Sequence, residues 1–346
     1  MKRVNIGVIG CGGIAQGAHM PGYSKLPKAK MVACCDVDAK KAKEAAEKFD
    51  IGKVFTDYEE LIALDDIDAV SVCTPNFAHM APTMAAMKAG KHVLVEKPMA
   101  MNAAEAKAMV KAARKNGRKL MVGLNYRWGA GIQALKRHAD AGEFGEMYFA
   151  RAQCLRRRGI PGWGVFIEKD KQGGGPLFDL GVHVMDAVLY LMGFPKPVAA
   201  SGAIYTKFGT RKGVIGLMGQ WDPKKYTVED YALGLIRFKK GQTIFVETSF
   251  AANIEKDIFN FSLLGTKAGC TLDPLKIYGE RNGNLTDTTP VFTKGENTHD
   301  IEMRLFVDCI LKDTDPPVTG EQGLLIQKIM DAIYTSAEEG REVRID

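Results

Sequence analysis

Asp179 and His183 stand four residues apart in a stretch that runs Gly173-Gly174-Gly175, Asp179, Gly181, His183, Asp186. On a helix that spacing puts both side chains on one face. A carboxylate beside an imidazole stabilises the imidazolium and fixes its tautomer, which is what a general base needs. Taken alone, the pair reads equally as a surface ion pair or a satisfied core histidine. A second chemical group lies near the N-terminus. Gly10-Cys11-Gly12-Gly13-Ile14-Ala15 fits G-x-G-x-x-A between an apolar strand and a helix. Gly10 permits a tight turn, Gly12 lets backbone approach a pyrophosphate, and Ala15 lets helix and strand pack closely. The free N–H groups of the helix start, at Gly13 and Ile14, then face the phosphates.

Asp36 ends the second apolar run, about 20 residues after the loop, where a carboxylate accepts both ribose hydroxyls of a dinucleotide. It repels a 2′-phosphate, and Val37 beside it offers no compensating charge. Lys40 and Lys41 at the next helix start could hold that phosphate, so NAD is favoured over NADP without excluding the latter.

These groups need elements to carry them. Up to about residue 123 the chain alternates apolar runs (4–9, 31–35, 69–73, 92–95 and 120–122) with helical stretches. Runs apolar throughout suit a parallel sheet covered on both faces. Ala42, Ala45, Ala46 and Phe49 share one helical face, as do Ala106, Met109, Val110 and Ala113. Asn102 with Glu105 predicts a capped start and Asn116-Gly117 a stop. After Tyr126 the pattern changes. A helix over 132–141 leads to a strand over 147–154, a Gly- and Arg-rich stretch and a helix over 181–192. Strands dominate from 198 to about 272, with a hairpin of 231–238 and 243–250 the clearest, and a helix closes the chain over 321–339. The expected fold is α/β: an N-terminal doubly wound parallel Rossmann sheet over residues 1–124, followed over 125–346 by an α+β domain with a large, mostly antiparallel open sheet.

Composition agrees. The 346 residues suffice for two domains, and 46% hydrophobic with 25% charged residues is a globular balance. The net charge of +6 is scattered, which suits an anionic small molecule and argues against nucleic acid. Seven cysteines without a CxxC read as buried thiols in a reducing cytoplasm. The apolar run 182–194 is broken by His183 and Asp186, so no membrane span is expected. Lys2-Arg3 ahead of Val8 to Cys11 imitates a lipoprotein signal, but the apolar stretch is too short and contains Asn5 and Gly7. Asp300 and Glu302 near His299 read as the start of an amphipathic helix, and no metal site is expected.

Three further segments extend the pattern: Thr74-Pro75-Asn76 with His79, Glu96-Lys97-Pro98, and the glycine run leading to Asp179 and His183. With the N-terminal loop and the C-terminal Thr319-Gly320 and Gly340-Arg341, the whole chain resembles the Gfo/Idh/MocA oxidoreductases, which include inositol dehydrogenases and glucose–fructose oxidoreductase. The resemblance implies that Thr74, Pro75, Asn76 and His79 line the path from adenine ribose to nicotinamide. It implies that Glu96 and Lys97 sit beside the nicotinamide ribose, with a bond into Pro98 open to the cis form. It also implies a catalytic set of Lys97, Asp179 and His183 that oxidises a secondary alcohol. His183 takes the hydroxyl proton, Lys97 hydrogen-bonds the developing alkoxide, and Asp179 orients His183 or binds a neighbouring hydroxyl. Either Lys97 or His183 is the base. A homodimer or homotetramer built on the open sheet is implied as well.

For the substrate, Arg156-Arg157-Arg158 and Trp163 join the open sheet to the glycine run. Trp163 could stack on a sugar face, and Arg158 could bind hydroxyls or an anionic group. Tyr126 and Arg127 follow the sixth strand and are expected to face the same cavity as Asp179 and His183. A sugar, glycoside or polyol is the expected partner. Two alternatives stay open: a glycosidase working through transient oxidation by tightly held NAD, and a non-catalytic regulator that binds nucleotide and sugar.

Overall fold

The protein, as a computed structural model, is described over residues 3–291 and 294–346; Lys2 of the basic N-terminal pair lies outside them. The first apolar runs become β1 (Val4–Ile9), β2 (Ala29–Cys35), β4 (Ala69–Val72), β5 (His92–Glu96) and β6 (Leu120–Gly123), joined by a short β3 (Lys53–Phe55). All pair in parallel in the order β3-β2-β1-β4-β5-β6. The order reverses between β1 and β4, and ligands bind at the carboxyl ends of strands at such a reversal. β3 carries no apolar signal because it is a three-residue edge strand with Lys53 and Val54 exposed. The flanking helices form as expected. Ala42, Ala45 and Ala46 are buried on the helix Ala39–Phe49. Asn102 Oδ1 accepts the Glu105 N–H at 2.9 Å, and Gly117 ends that helix at φ 59°.

The chain forms two compact units, 1–125 with 296–327 and 126–295 with 328–346. A single cut at 124 was expected, and the structure instead returns the chain to its first unit. The helix Thr298–Leu311 buries Met303, Phe306 and Val307 there. Gly22 leaves room for it, since a Cβ on Gly22 would lie 2.7 Å from Met303 Cγ. Lys25 Nζ reaches Asp300 Oδ2 at 2.6 Å, and Thr319 bridges to Met121 beside it. An amphipathic helix advertises that it needs a core but not which one.

Among the described residues the second unit holds nine strands: β7 (Met147–Leu155), β8 (Pro197–Tyr205), β9 (Tyr231–Phe238), β10 (Thr243–Ser249), β11 (Ile258–Gly265), β12 (Ala268–Thr271), β13 (Lys276–Arg281), β14 (Asn284–Thr288) and β15 (Val343–Arg344). Their order is β14-β13-β12-β11-β7-β10-β9-β8-β15, with β7 and β10 parallel and every other neighbouring pair antiparallel. Side chains alternate along β9: Ala232, Gly234, Ile236 and Phe238 are buried, while Tyr231, Leu233 and Leu235 are half-buried. Helices cover the buried face. Gly202 and Gly234 both lie against Ile333, and Thr248 lies against Gly181.

Residues between β8 and β9, expected among the strands, form an irregular excursion. Asp230 ties its start down by accepting the N–H groups of Lys207, Phe208 and Gly209 on one oxygen. Among the described residues, the one helix apolar and long enough to cross a membrane, Lys169–Met192, has 89% of its most apolar window buried inside the protein, as a core helix does.

Candidate active site

In the first unit, the residues expected to hold a dinucleotide, His79 apart, lie at or just beyond the carboxyl ends of strands. Gly10 follows β1 at φ +90°, and a Cβ there would lie 2.7 Å from the Cys73 carbonyl carbon and oxygen. Only glycine lets the loop press this closely on the end of β4. At Gly12 and Gly13 the reverse holds: a Cβ would meet nothing within 4 Å. The loop is therefore closed toward the protein and open on its outer side, with Ile14 half in solvent.

Asp36 is fixed at the end of β2. Its Oδ2 accepts the Cys11 N–H at 2.8 Å and its Oδ1 the Asp38 N–H at 2.9 Å. Each oxygen keeps a further lone pair for a ribose hydroxyl. Val37 is exposed beside it. The open glycine cradle and the placed carboxylate fit a dinucleotide.

Thr74, Pro75 and Asn76 follow β4. Thr74 Oγ1 donates to the Ala78 carbonyl, and Asn76 is buried. His79 departs from its expected place on the cofactor path. It is buried, with Nδ1 on the Pro98 carbonyl and Nε2 on the Thr74 carbonyl, both at 2.8 Å. Both ring nitrogens are engaged within the protein, so His79 braces the loop after β4 against the one after β5.

Glu96 and Lys97 end β5, and the Lys97–Pro98 bond is cis. Glu96 is no solvated charge. Its Oε1 lies 2.7 Å from His19 Nε2, its Oε2 accepts the Lys97 backbone N–H at 3.1 Å, and His19 is wholly buried. Burial works against both charged forms. The hydrogen bond and charge of His19, with Lys97 and His299 nearby, nevertheless hold Glu96 below the ordinary carboxyl range. Cys73 and Glu96 likewise carry His19 well above the usual imidazole value. Sequence reading missed His19 because nothing marks a histidine five residues beyond the loop as the partner of a carboxylate 77 positions away. Glu302 falls, as expected, near the start of the helix Thr298–Leu311, and there it is buried, with His19 and Glu96 side-chain nitrogen and oxygen atoms within 4.8 Å of its own.

In the second unit the structure brings Asp179, His183 and Tyr126 together with Arg156. Leu177–Gly181 winds as one π-helical turn, and an α-helix continues over Val182–Met192. Asp179 and His183 therefore straddle a junction of two helical forms, a local distortion frequent at functional sites. Both are largely buried, at 6% and 7% exposure. The His183 ring stacks on Tyr126 at 4.1 Å and 18°, and Phe259 meets Tyr126 edge-on at 5.0 Å.

Of the three consecutive arginines it is Arg156, not Arg158, that approaches the pair, with Nη1 4.0 Å from Asp179 Oδ2. Arg158 is spent on its own loop, donating to the Ala252 carbonyl and Asn253 Oδ1 over the Phe208 ring. Arg127, expected to face the same cavity as Asp179 and His183, is instead turned inward. It is fully buried, forked onto both oxygens of Asp186 and packed on Tyr190 and Phe194. A buried guanidinium needs its five donors satisfied, and Asp186 takes two of them in a fork. Trp163 is half exposed, with Phe166 at its edge.

The glycine run before Asp179 has a packing cause. A Cβ on Gly174 would lie 2.1 Å from Tyr334 Oη, and one on Gly175 2.2 Å from the Glu229 carbonyl. The buried Glu229 carboxylate accepts the N–H groups of Gly175 and Leu177 at 3.0 and 3.3 Å and the Tyr334 hydroxyl at 2.6 Å. Burial raises its pKa, and these donors offset part of that rise. Glu229 thus holds the turn from which Asp179 and His183 project, a role no sequence pattern indicated.

A doubly wound parallel sheet with an open glycine loop after β1 and a carboxylate fixed at the end of β2 has the build of an NAD-binding Rossmann domain. Residues 4–124 match the model of the oxidoreductase family's NAD-binding Rossmann domain, and residues 136–345 match its C-terminal alpha/beta domain. The chain belongs to the Gfo/Idh/MocA oxidoreductase family. It is 38% identical to D-glucoside 3-dehydrogenase of Escherichia coli K12 over 99% of this chain and 97% of the relative. It is 30% identical to levoglucosan dehydrogenase of Pseudarthrobacter phenanthrenivorans over 77% of this chain and 73% of that one. A solved levoglucosan dehydrogenase in complex with NADH and L-sorbose superposes with a TM-score of 0.88, at 25% identity and full coverage of both chains.

Proposed function

We propose that this protein is an NAD-dependent dehydrogenase that oxidises a ring secondary hydroxyl of a D-glucoside, at C3. One observation carries the substrate class: the near full-length similarity to a D-glucoside 3-dehydrogenase. The chemistry follows from the residues. Gly10, Gly12, Gly13, Asp36, Asn76 and Glu96 would hold NAD, which when bound supplies the hydride acceptor. His183, buried and stacked on Tyr126, takes the proton of the reacting hydroxyl. Asp179 orients the imidazole or binds a neighbouring hydroxyl, with Arg156 near enough to share it. Lys97 donates a hydrogen bond to the alkoxide as it develops. Val37 next to Asp36 supports NAD over NADP. Tyr126 and Trp163, both partly exposed, each present an aromatic ring for a pyranose to pack on.

The test mixes purified protein, NAD and a panel of methyl D-glucosides, aldoses and polyols while NADH absorbance is followed and products are identified by NMR. Steady NADH with a 3-keto glycoside is expected. Aglycone release without net NADH would support the glycosidase instead, and silence with intact NADH binding would support the regulator or a substrate outside the panel. His183→Ala is expected to lower kcat by roughly 10²–10⁴ while NADH binding persists; an unchanged kcat removes His183 from the reaction. We further propose a homo-oligomer built on the half-buried face of the large sheet, where Leu233, Leu235 and Phe245 lie; light scattering at a monomer mass would refute it.

A further inference from the structure

We propose that His19 is a positioning residue for Lys97: it clamps one oxygen of Glu96 so that the other oxygen receives the Lys97 backbone N–H. The inference rests on the role of Lys97 proposed above. Its geometry is a continuous buried chain. Tyr23 Oη and Ser71 Oγ lie 2.7 Å apart, Ser71 Oγ and His19 Nδ1 3.3 Å, His19 Nε2 and Glu96 Oε1 2.7 Å, and Glu96 Oε2 and Lys97 N 3.1 Å. Every side chain in it is buried.

His19 closes the helical turn Ala15–His19 that begins right after the phosphate loop. The clamp therefore ties the element that starts at the loop to the end of β5. The other face of Glu96 is closed as well, since a Cβ on Gly123 of β6 would lie 3.0 Å from Glu96 Oε1. A carboxylate pinned on both sides fixes the backbone from which Lys97 extends.

His19, Glu96 and Glu302 also form the one group among the described residues whose ligand atoms gather closely enough to hold a metal. The spacing argues for proton sharing. Two ligands on a tetrahedral zinc are about 3.3 Å apart from bond lengths near 2 Å, whereas His19 and Glu96 approach to 2.7 Å, a charge-assisted hydrogen bond. The groups facing His19 from neighbouring elements are Cys73, Glu302 and His299, besides Glu96 and Lys97. Retention of the proton on His19 in this setting agrees with the clamp.

The experiment compares the full-length wild type with His19→Leu, His19→Gln, His19→Asn and Lys97→Met. It reads hydrogen exchange of the Lys97 amide by mass spectrometry, NADH binding by fluorescence, and kcat and KM with methyl D-glucoside and NAD. In His19→Leu the Lys97 amide is expected to exchange roughly tenfold faster while the rest of β5 stays protected. kcat falls roughly 10- to 100-fold, as for loss of a side chain that orients another, and the glucoside KM changes little. His19→Gln, which keeps a donor at the position of Nε2, recovers most of both losses. Wild-type exchange and wild-type kcat in His19→Leu overturn the inference. Should that variant fail to fold, His19→Asn, whose amide is too short to reach Glu96 Oε1, carries the test: a kcat about threefold or more below wild type at unchanged melting temperature supports the clamp, and wild-type kcat and exchange overturn it. A wild-type rate in Lys97→Met would instead remove Lys97 from the reaction, while the exchange data still report whether His19 orders the Lys97 backbone.

Discussion

Two glycine clusters in this protein look alike on the page and serve opposite ends. After β1, Gly12 and Gly13 face open space, and a methyl group there would meet no protein atom within 4 Å. Before Asp179, Gly174 and Gly175 are closed in, with Tyr334 Oη and the Glu229 carbonyl where a methyl group would have to go. The first pair keeps room for a ligand. The second makes room for the protein's own backbone and for the carboxylate that fixes the turn carrying Asp179 and His183. Glycine in a sequence reports only that something comes close, and the partner is a tertiary matter.

This contrast predicts substitutions of opposite kind. Gly175→Ala should cost about 2–4 kcal/mol of stability, because the blocking atom is backbone and cannot rotate away. Thermal unfolding checks it, and a melting temperature within a degree of wild type would abolish the distinction between the two clusters. Gly12→Ala should leave the melting temperature of the apo protein almost unchanged and weaken NADH binding about tenfold, near 1.4 kcal/mol. A fluorescence titration with unaltered affinity would place the pyrophosphate elsewhere.

The carboxylates near the two loops sharpen the comparison by pH, with smaller effects. Glu96 is held below its ordinary value, so its contribution to stability is full above about pH 4.5 and is lost as pH falls through the depressed value. Glu229 is raised, so its contribution is full below about pH 4.5 and declines as pH climbs through the elevated value. The stability gap between wild type and Glu229→Gln should therefore narrow as pH rises above about 4.5, where the gap for Glu96→Gln stays level. Melting curves of both variants across that range check the opposite signs, and parallel trends would refute them.

How much was legible from the chain can be traced residue by residue. β1 was read to its exact ends, and the loop, Asp36 and Glu96-Lys97 all fall at strand ends, because local apolar runs and turn residues encode them. Asp179 and His183 were recognised by spacing and both are buried on one helical segment, although the π-helical turn between them was not foreseen. Arg127 was misplaced because a basic residue after a strand looks exposed until its partner Asp186, 59 positions on, is known. His79 failed for a like reason, its two nitrogens being claimed by carbonyls of neighbouring loops.

Patterns that repeat every two or four residues, and glycines at a turn, act through neighbours in the chain. They establish the Rossmann half, the antiparallel half and the candidate chemistry without coordinates. Burial of a charge requires a partner, and that partner is chosen by folding from any distance along the chain. His19 on Glu96, Asp186 on Arg127, Glu229 beneath Gly175 and the return of residues 296–327 to the first unit were all settled at that level. Desolvation makes each pairing obligatory once the elements meet, and no local signal announces where they will.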